Sequence, residues 1–183
     1  MEHDVIATGE RILLRKLRVT DAGEINLKID SCPKVCEYVG GTKSFEETLA
    51  GVKRIVGSYG DPVTGIFAAV CIAQGDIIGW GILKPFPLDQ TQYEIGYGVV
   101  AASWGQNYAT EIGGILLNYG FNVLGLKRLV AAVNPRNLAS KRVIHKLGFI
   151  YRKKIDWPDQ GKVNLYALEQ WQYGAQAGQA SVG

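Results

Sequence analysis

Apolar and polar positions alternate along residues 10–18, where Ile12 and Leu14 oppose Leu13 and Arg15, and this period of two predicts a first strand. Thr20-Asp21 then offers a helix cap with Glu24 at capping-box spacing, so a short helix to about Ile29 should follow. Ser44-Phe45-Glu46-Glu47 opens a second helix, in which Phe45, Leu49, Val52 and Val56 recur at helical spacing until Gly57, Gly60, Asp61 and Pro62 end it. Three strand-like runs come next, at 64–73, 76–84 and 91–100. The short loop Gln74-Gly75-Asp76 and a looser turn marked by Pro85, Pro87 and Asp89 make them an antiparallel meander. After a loop at 101–105, a helix runs to about Val123 with Ile112, Leu116, Tyr119 and Leu124 on or near one face. Leu126 to Val133 reads as a strand, 136–147 as a helix ended by Gly148, and 149–155 and 163–172 as two closing strands. The pattern predicts a mixed α/β (α+β) single domain over residues 1–173. The tail from Gly174 to Gly183, made of Gly, Ala, Gln, Ser and one Val, has nothing to bury and is expected to be disordered.

Composition changes this picture little: 183 residues, 47% apolar and 20% charged, suit one self-supporting domain. The net charge of +3 does not by itself imply nucleic acid, but its distribution is uneven. Between Ile112 and Ile155 there is no Asp or Glu, while Lys127, Arg128, Arg136, Lys141, Arg142, Lys146, Arg152, Lys153 and Lys154 all fall there. Such a local field attracts phosphates or an acidic partner. The three cysteines, Cys32, Cys36 and Cys71, form no disulfide framework, and with only His3 and His145 to complete a ligand set no metal site is expected. The start, Met-Glu-His-Asp, lacks the regions of a signal peptide, and no apolar run is long enough to cross a membrane, so a soluble cytoplasmic protein is expected.

The candidate chemistry sits in residues 94–109, Glu-Ile-Gly-Tyr-Gly-Val-Val-Ala-Ala-Ser-Trp-Gly-Gln-Asn-Tyr-Ala. This stretch reads as a strand that feeds the positive end of a helix through a small-residue loop, which is a site for phosphate. Glu94 places a carboxylate on the same strand. A phosphate-bearing carrier and a base could therefore share one element, which points to group transfer. Neither a Gly-x-Ser-x-Gly run nor a Walker loop is present, which argues against a serine hydrolase or a P-loop enzyme.

Taken in order, residues 10–172 resemble the GNAT superfamily of acyl-CoA-dependent N-acyltransferases, and most closely its RimJ/RimL-type branch of ribosomal-protein N-terminal acetyltransferases. Two motifs carry the resemblance. Glu94-Ile-Gly-Tyr-Gly-Val with Trp104-Gly-Gln-Asn-Tyr-Ala-Thr-Glu111 resembles the acetyl-CoA pyrophosphate loop. Asn137-Leu-Ala-Ser140-Lys-Arg-Val-Ile-His-Lys-Leu-Gly-Phe149 resembles the second cofactor-binding helix. The family loop usually has glycine where this chain has Asn107, and asparagine is the next most tolerant residue for a left-handed backbone.

The resemblance implies a largely antiparallel twisted central sheet flanked by about four helices, and transfer of acetyl from acetyl-CoA to a primary amine by direct attack. It implies that Glu94 is the base and that Ser140, near the sulfur, protonates the departing thiolate. Tyr93, Tyr97, Tyr108 and Tyr151 are alternative acids, Tyr97 being weakened because it faces opposite Glu94. By the same resemblance the amides of Gln106, Asn107, Tyr108 and Ala109 cradle the pyrophosphate, Gly105 supplies the turn and Thr110 adds a hydroxyl. Val99 and Asn137 hold the pantetheine arm, and Lys141 or Arg142 could meet the 3′-phosphate. If the bare faces of Gly79 and Gly81 coincide with those of Gly96 and Gly98, they outline a groove for acceptor or pantetheine. The acceptor, a protein N-terminus or a small amine, is expected between segments 30–45, 85–90 and 156–161, with no acidic trap for a polycation. Two other readings stay open: a catalytically inactive acyl-CoA-binding sensor or scaffold, kept alive by Asn107, and a nucleic-acid binder, for which the basic region supplies only Phe149 and Tyr151 as stacking groups. A homodimer through the edge of the last strand pair is compatible with the pattern.

Overall fold

The computed structural model describes residues 4–60, 62–158 and 161–180. Its strands are β1 (Val5–Thr8), β2 (Ile12–Lys16), β3 (Gly65–Cys71), β4 (Ile77–Phe86), β5 (Asp89–Val99), β6 (Arg128–Val133), β7 (Ile150–Trp157) and β8 (Gly161–Glu169). The helices are α1 (Ala22–Ile25), running on as a π-turn over Asn26–Asp30, α2 (Pro33–Cys36), α3 (Phe45–Val56), α4 (Tyr108–Asn118), extended by Tyr119–Val123, α5 (Leu138–Lys146) and α6 (Gln170–Ala180). The order matches the sequence pattern, with three additions it did not signal: β1, the single turn α2, and α6. The last takes over residues 170–172, expected to end the closing strand, and enters the segment expected to lack order, where alanine and glutamine favour a helix once the chain leaves β8. Residues 181–183 lie outside the described residues.

All strands join one eight-stranded sheet in the order β1-β2-β3-β4-β5-β6-β8-β7. Every neighbouring pair is antiparallel except β5 and β6, which run parallel and meet only at Tyr93↔Leu129 and Glu94↔Val130. Beyond Glu94, β5 stays paired with β4 as far as Gly79↔Val99, while β6 stays with β8 as far as Val133↔Asn164. The sheet therefore forks, and Glu94 stands at the fork.

The pleat sorts side chains between two faces. Gly79, Gly81 and Leu83 share a face with Ile95, Tyr97 and Val99, and Gly81 lies against Ile112 and Leu116 of α4. The main core forms here, with Ile12, Leu14, Phe67, Leu83, Leu116 and Ile144 fully buried. Trp80, Ile82 and Lys84 share the other face with Glu94, Gly96 and Gly98. A small second cluster of Phe86, Val130, Leu165 and Ala167, with Trp157 against it, forms on this side of β6 and β8.

The glycine groove is thereby overturned: the two glycine pairs lie on opposite faces because the β4–β5 register sets each opposite a residue of its own parity, Gly79 against Val99 and Gly96 against Ile82. The Gly98 and Gly79 positions are also closed to a side chain. A methyl on Gly98 would meet the Trp80 ring at 2.5 Å, and one on Gly79 would meet the Gly98 carbonyl oxygen at 2.1 Å. The capping box predicted at Asp21 is replaced as well. The Asp21 carboxylate is buried in a two-pronged pair with Arg15, at 2.7 and 2.9 Å, which is stronger than a neutral cap. Glu24 instead accepts the Ile77 amide and the Lys28 ammonium. A reciprocal box does start α3, where the Glu47 amide donates to Ser44 Oγ and the Ser44 amide donates to Glu47 Oε2.

Candidate active site

The fork opens into a cleft of about 550 Å³. One wall comes from the helical side, with Ile25, Ile29, Val52 and Ile55 facing Ile66, Trp80 and Ile82 of the sheet. The other end lies between the parted strands, where Tyr97, Ala131, Val133, Asn137 and Ser140 line it. The cleft thus reaches both faces of the sheet. Only a gap between two strands allows that, because a closed ladder seals one face from the other.

Glu94 lines this cleft from β5 and is 8% exposed. Burial pushes its carboxyl above the ordinary range, and the Lys84 ammonium, 3.4 Å away and opposite it in register, pulls the other way. At the strand-gap end, the Tyr97 hydroxyl donates to the Ser140 carbonyl at 3.1 Å and lies 3.3 Å from Ser140 Oγ. Burial holds the Tyr97 phenol well above its usual value. Tyr97 does face away from Glu94, as its parity requires, yet both line the one cleft because the sheet is open beside them. Facing opposite Glu94 therefore does not keep Tyr97 out of the cleft.

Asn137 begins α5, and its side-chain oxygen accepts the Ser140 amide at 2.9 Å, which fixes the hydroxyl-bearing residue at the mouth of the gap. Phe149 fills the core. His145 is exposed on α5 and packs edge-on to Tyr166.

The loop from β5 to α4 has its own geometry. Gly105 is left-handed at φ 77°, and Asn107 is the non-glycine residue found at positive φ among the described residues, at 63°. The Asn107 carbonyl accepts the amides of Thr110 and Glu111. The described residues offer no acceptor to the amides of Gln106, Asn107, Tyr108 and Ala109. Those amides open α4 at its positive end, so the loop fits an anionic phosphate group. Val99 has its carbonyl engaged by the Trp104 indole N–H at 2.7 Å, although half of the Trp104 side chain is exposed.

Three residues around this site were not singled out from the sequence. Arg11, in the β1–β2 turn, donates to the Gln106 carbonyl at 3.2 Å, lies 4.4 Å over the Tyr108 ring, and pairs with Glu111 at 2.9 Å. By turning the Gln106 carbonyl toward itself, Arg11 turns the Asn107 amide of the same planar peptide unit away. Lys146 donates to Asn107 Oδ1 at 3.1 Å, so it is this residue of the basic stretch that reaches the loop. Lys84 is the third. Nothing marks it locally, since its role depends on the β4–β5 register.

Of the segments expected to hold the acceptor, Asp30, Tyr38, Lys43 and Trp157 line the cleft, and Glu47, Thr48 and Arg54 of α3 join them. Cys32 and the turn around Leu88 do not line it, and Phe86 lies 5.8 Å from the Trp157 ring. Among the described residues no cluster of three or more His, Cys, Asp or Glu side chains could hold a metal ion. No described helix is long and apolar enough to cross a membrane.

This architecture recurs in known proteins. The family model for the acetyltransferase (GNAT) domain matches residues 11–150. The "Probable N-acetyltransferase YjcK" of Bacillus subtilis (strain 168) is 44% identical over 160 residues, covering 80% of this chain and 87% of that protein. A GNAT-family acetyltransferase from Bacillus anthracis superposes with a TM-score of 0.79 at 25% identity, covering 90% of this chain and 98% of that one. The ribosomal L7/L12 alpha-N-protein acetyltransferase RimL, solved with coenzyme A, shares the fold at a TM-score of 0.75 and 17% identity, covering 90% and 97%. With a buried carboxylate at a forked sheet, an open quartet of loop amides and a family match over most of its length, the chain belongs to the GNAT acetyltransferase family and is an acyl-CoA-dependent N-acyltransferase.

Proposed function

We propose that this protein moves an acetyl group from acetyl-CoA to a primary amine, with Glu94 as the base and Ser140 as the proton donor. The observation that carries the reading is the fork, which brings a buried carboxylate and a serine hydroxyl to one cleft from two faces of the sheet. The amides of Gln106, Asn107, Tyr108 and Ala109 would hold the pyrophosphate, with Gly105 shaping the turn and Thr110 adding its hydroxyl. The edge of β5 that β6 leaves beyond Glu94, with Val99, whose carbonyl the Trp104 indole holds, and the Asn137 side chain would hold the pantetheine arm. Acetyl-CoA supplies an activated acetyl thioester.

Glu94 takes the proton that keeps the amine from attacking, directly or through one water. As the new C–N bond forms and the C–S bond breaks, Ser140 Oγ–H gives its proton to the sulfur and regains one from the newly acylated nitrogen, while Glu94 returns the first proton to solvent. The products are an amide, a free thiol and one released proton. The carboxylates lining the cleft are already engaged: Asp30 by Lys43 and Thr48, Glu47 by the Ser44 amide, and Glu94 by Lys84. This supports a singly charged acceptor, a peptide N-terminus or a small monoamine, over a polycation. The RimJ/RimL-like motifs favour the peptide within that class.

The sensor alternative rested on Asn107. That residue already adopts the left-handed backbone a glycine would supply, which supports a working loop. Thiol release from acetyl-CoA, measured over a panel of amines and N-terminal peptides with the intact protein and Glu94→Gln, tests the reading. Acceptor-dependent release that collapses in the variant is expected. Tight acetyl-CoA binding without release for any acceptor would favour the sensor, and no binding would end both.

A further inference from the structure

Lys84 is the charged residue that acts on Glu94. It faces the carboxylate across the β4–β5 ladder, with its ammonium 3.4 Å from Oε1, and both side chains line the cleft. From the helical side the charged groups facing the same cavity are Asp30, Lys43, Glu47 and Arg54. Asp30 and Glu47 are held by partners on their own wall, and Lys43 is paired with Asp30. From the strand gap come the hydroxyls of Tyr97 and Ser140 and the side-chain amides of Asn134 and Asn137, and Tyr38 adds a phenol from the loop after α2. Trp157 is the contribution of β7. The base of the proposed reaction thus has one counter-charge, placed by sheet register rather than by the helices that shape the acceptor wall.

We propose that Lys84 is a positioning residue for the transfer: its ammonium anchors the Glu94 carboxylate at the fork in the ionised form that receives the amine's proton. The inference rests on Glu94 being the base. Burial alone favours the protonated carboxyl, which cannot accept a proton. A cation 3.4 Å away offsets part of that penalty, and because the Lys84 side chain is one-third exposed it stays solvated while doing so. An incoming ammonium then meets a carboxylate that is ionised and held in direction.

Transfer requires ionised Glu94, so kcat/KM rises with pH through the Glu94 pKa. Removing Lys84 raises that pKa further and moves the acid limb to higher pH. The experiment compares Lys84→Met, Lys84→Arg and Glu94→Gln with the intact protein, reading kcat/KM for the amine against pH, KM for acetyl-CoA and the melting temperature. For Lys84→Met, about a tenfold loss below the limb is expected, corresponding to a shift of about one pH unit, with recovery at high pH and an unchanged KM for acetyl-CoA. Lys84→Arg should restore the original profile. An unmoved acid limb in Lys84→Met, or an equal loss at every pH with a lowered melting temperature, would overturn the proposal. If Glu94→Gln keeps full activity, it is the assignment of the base that has failed instead.

Discussion

Glu94 sets the conflict at the scale of single residues. Its folded-state pKa is raised by burial, so the stability it contributes is present below its unfolded pKa and lost as pH rises through the folded value. A permanently neutral isostere escapes that loss. Glu94→Gln should therefore melt no lower than the intact protein near about pH 8, and the two should converge near about pH 4, while thiol release falls by roughly 100-fold or more. Thermal melts at both pH values with a turnover assay check this, and a large drop in melting temperature at high pH would contradict it. Asn107 makes a second residue-level prediction. At φ 63° it sits where a β-branched side chain is strained by about 1–2 kcal/mol. Asn107→Val should raise the KM for acetyl-CoA roughly tenfold, about 1.4 kcal/mol, whereas Asn107→Gly should leave it within a factor of about three. Steady-state kinetics with acetyl-CoA as the varied substrate decides, and equal effects of both variants would show that the backbone angle is not what matters.

Among the elements, the loop before α4 is held by a clamp from the far end of the sheet. Glu111 in the first turn of α4 accepts the backbone amides of Arg11 and Ile12 at 2.7 and 3.1 Å, and pairs with the Arg11 side chain. The β1–β2 turn, α4 and the loop thus move as one piece. Glu111→Ala strands those two amides, which should cost about 1–3 kcal/mol of stability. Because the clamp supports the loop and not the acceptor wall, KM should rise for acetyl-CoA more than for the amine. Denaturant melts and two-substrate kinetics measure both effects, and a rise confined to the amine KM would rule the clamp out. The acceptor wall depends on a different device, the Ser44–Glu47 box that starts α3. At the opposite edge of the sheet, β7 carries Arg152, Lys153 and Lys154 in succession on an exposed strand, a charge pattern that discourages edge pairing with another chain.

For the molecule as a whole, the fork is a seam. Each of β5 and β6 is paired on its outer side, and their inner edges part after Glu94. A ligand that bonds to both edges should brace the sheet. At a free concentration about 100 times its Kd, acetyl-CoA should stabilise the fold by about 2.7 kcal/mol, which in a chain of this size is a rise in melting temperature of about 5–10 °C. Amide exchange should slow along residues 95–99 and 131–133 as well as in the loop at 105–109. Protection confined to the loop would mean that the seam is not where the ligand lies.

The order and type of most elements are legible in the chain, because the periods of two and 3.6 and the Gly and Pro breaks are local properties. The loop motif is legible too, since the glycine and asparagine that allow a left-handed turn lie beside the helix they open. The glycine groove required the bare faces of β4 and β5 to coincide, and the relative parity of two strands is written in neither of them alone. Tyr97 does face opposite Glu94, but the gap between β5 and β6 that lets both line one cleft is equally absent from either strand. Tertiary structure decided the rest. It set Lys84 opposite Glu94, brought Arg11 and Lys146 to the loop, and gave Asp21 to the Arg15 guanidinium and the Arg18 amide rather than to the cap of α1. Those pairings join residues through register and packing, and a long-range contact leaves no periodic trace in the chain that makes it.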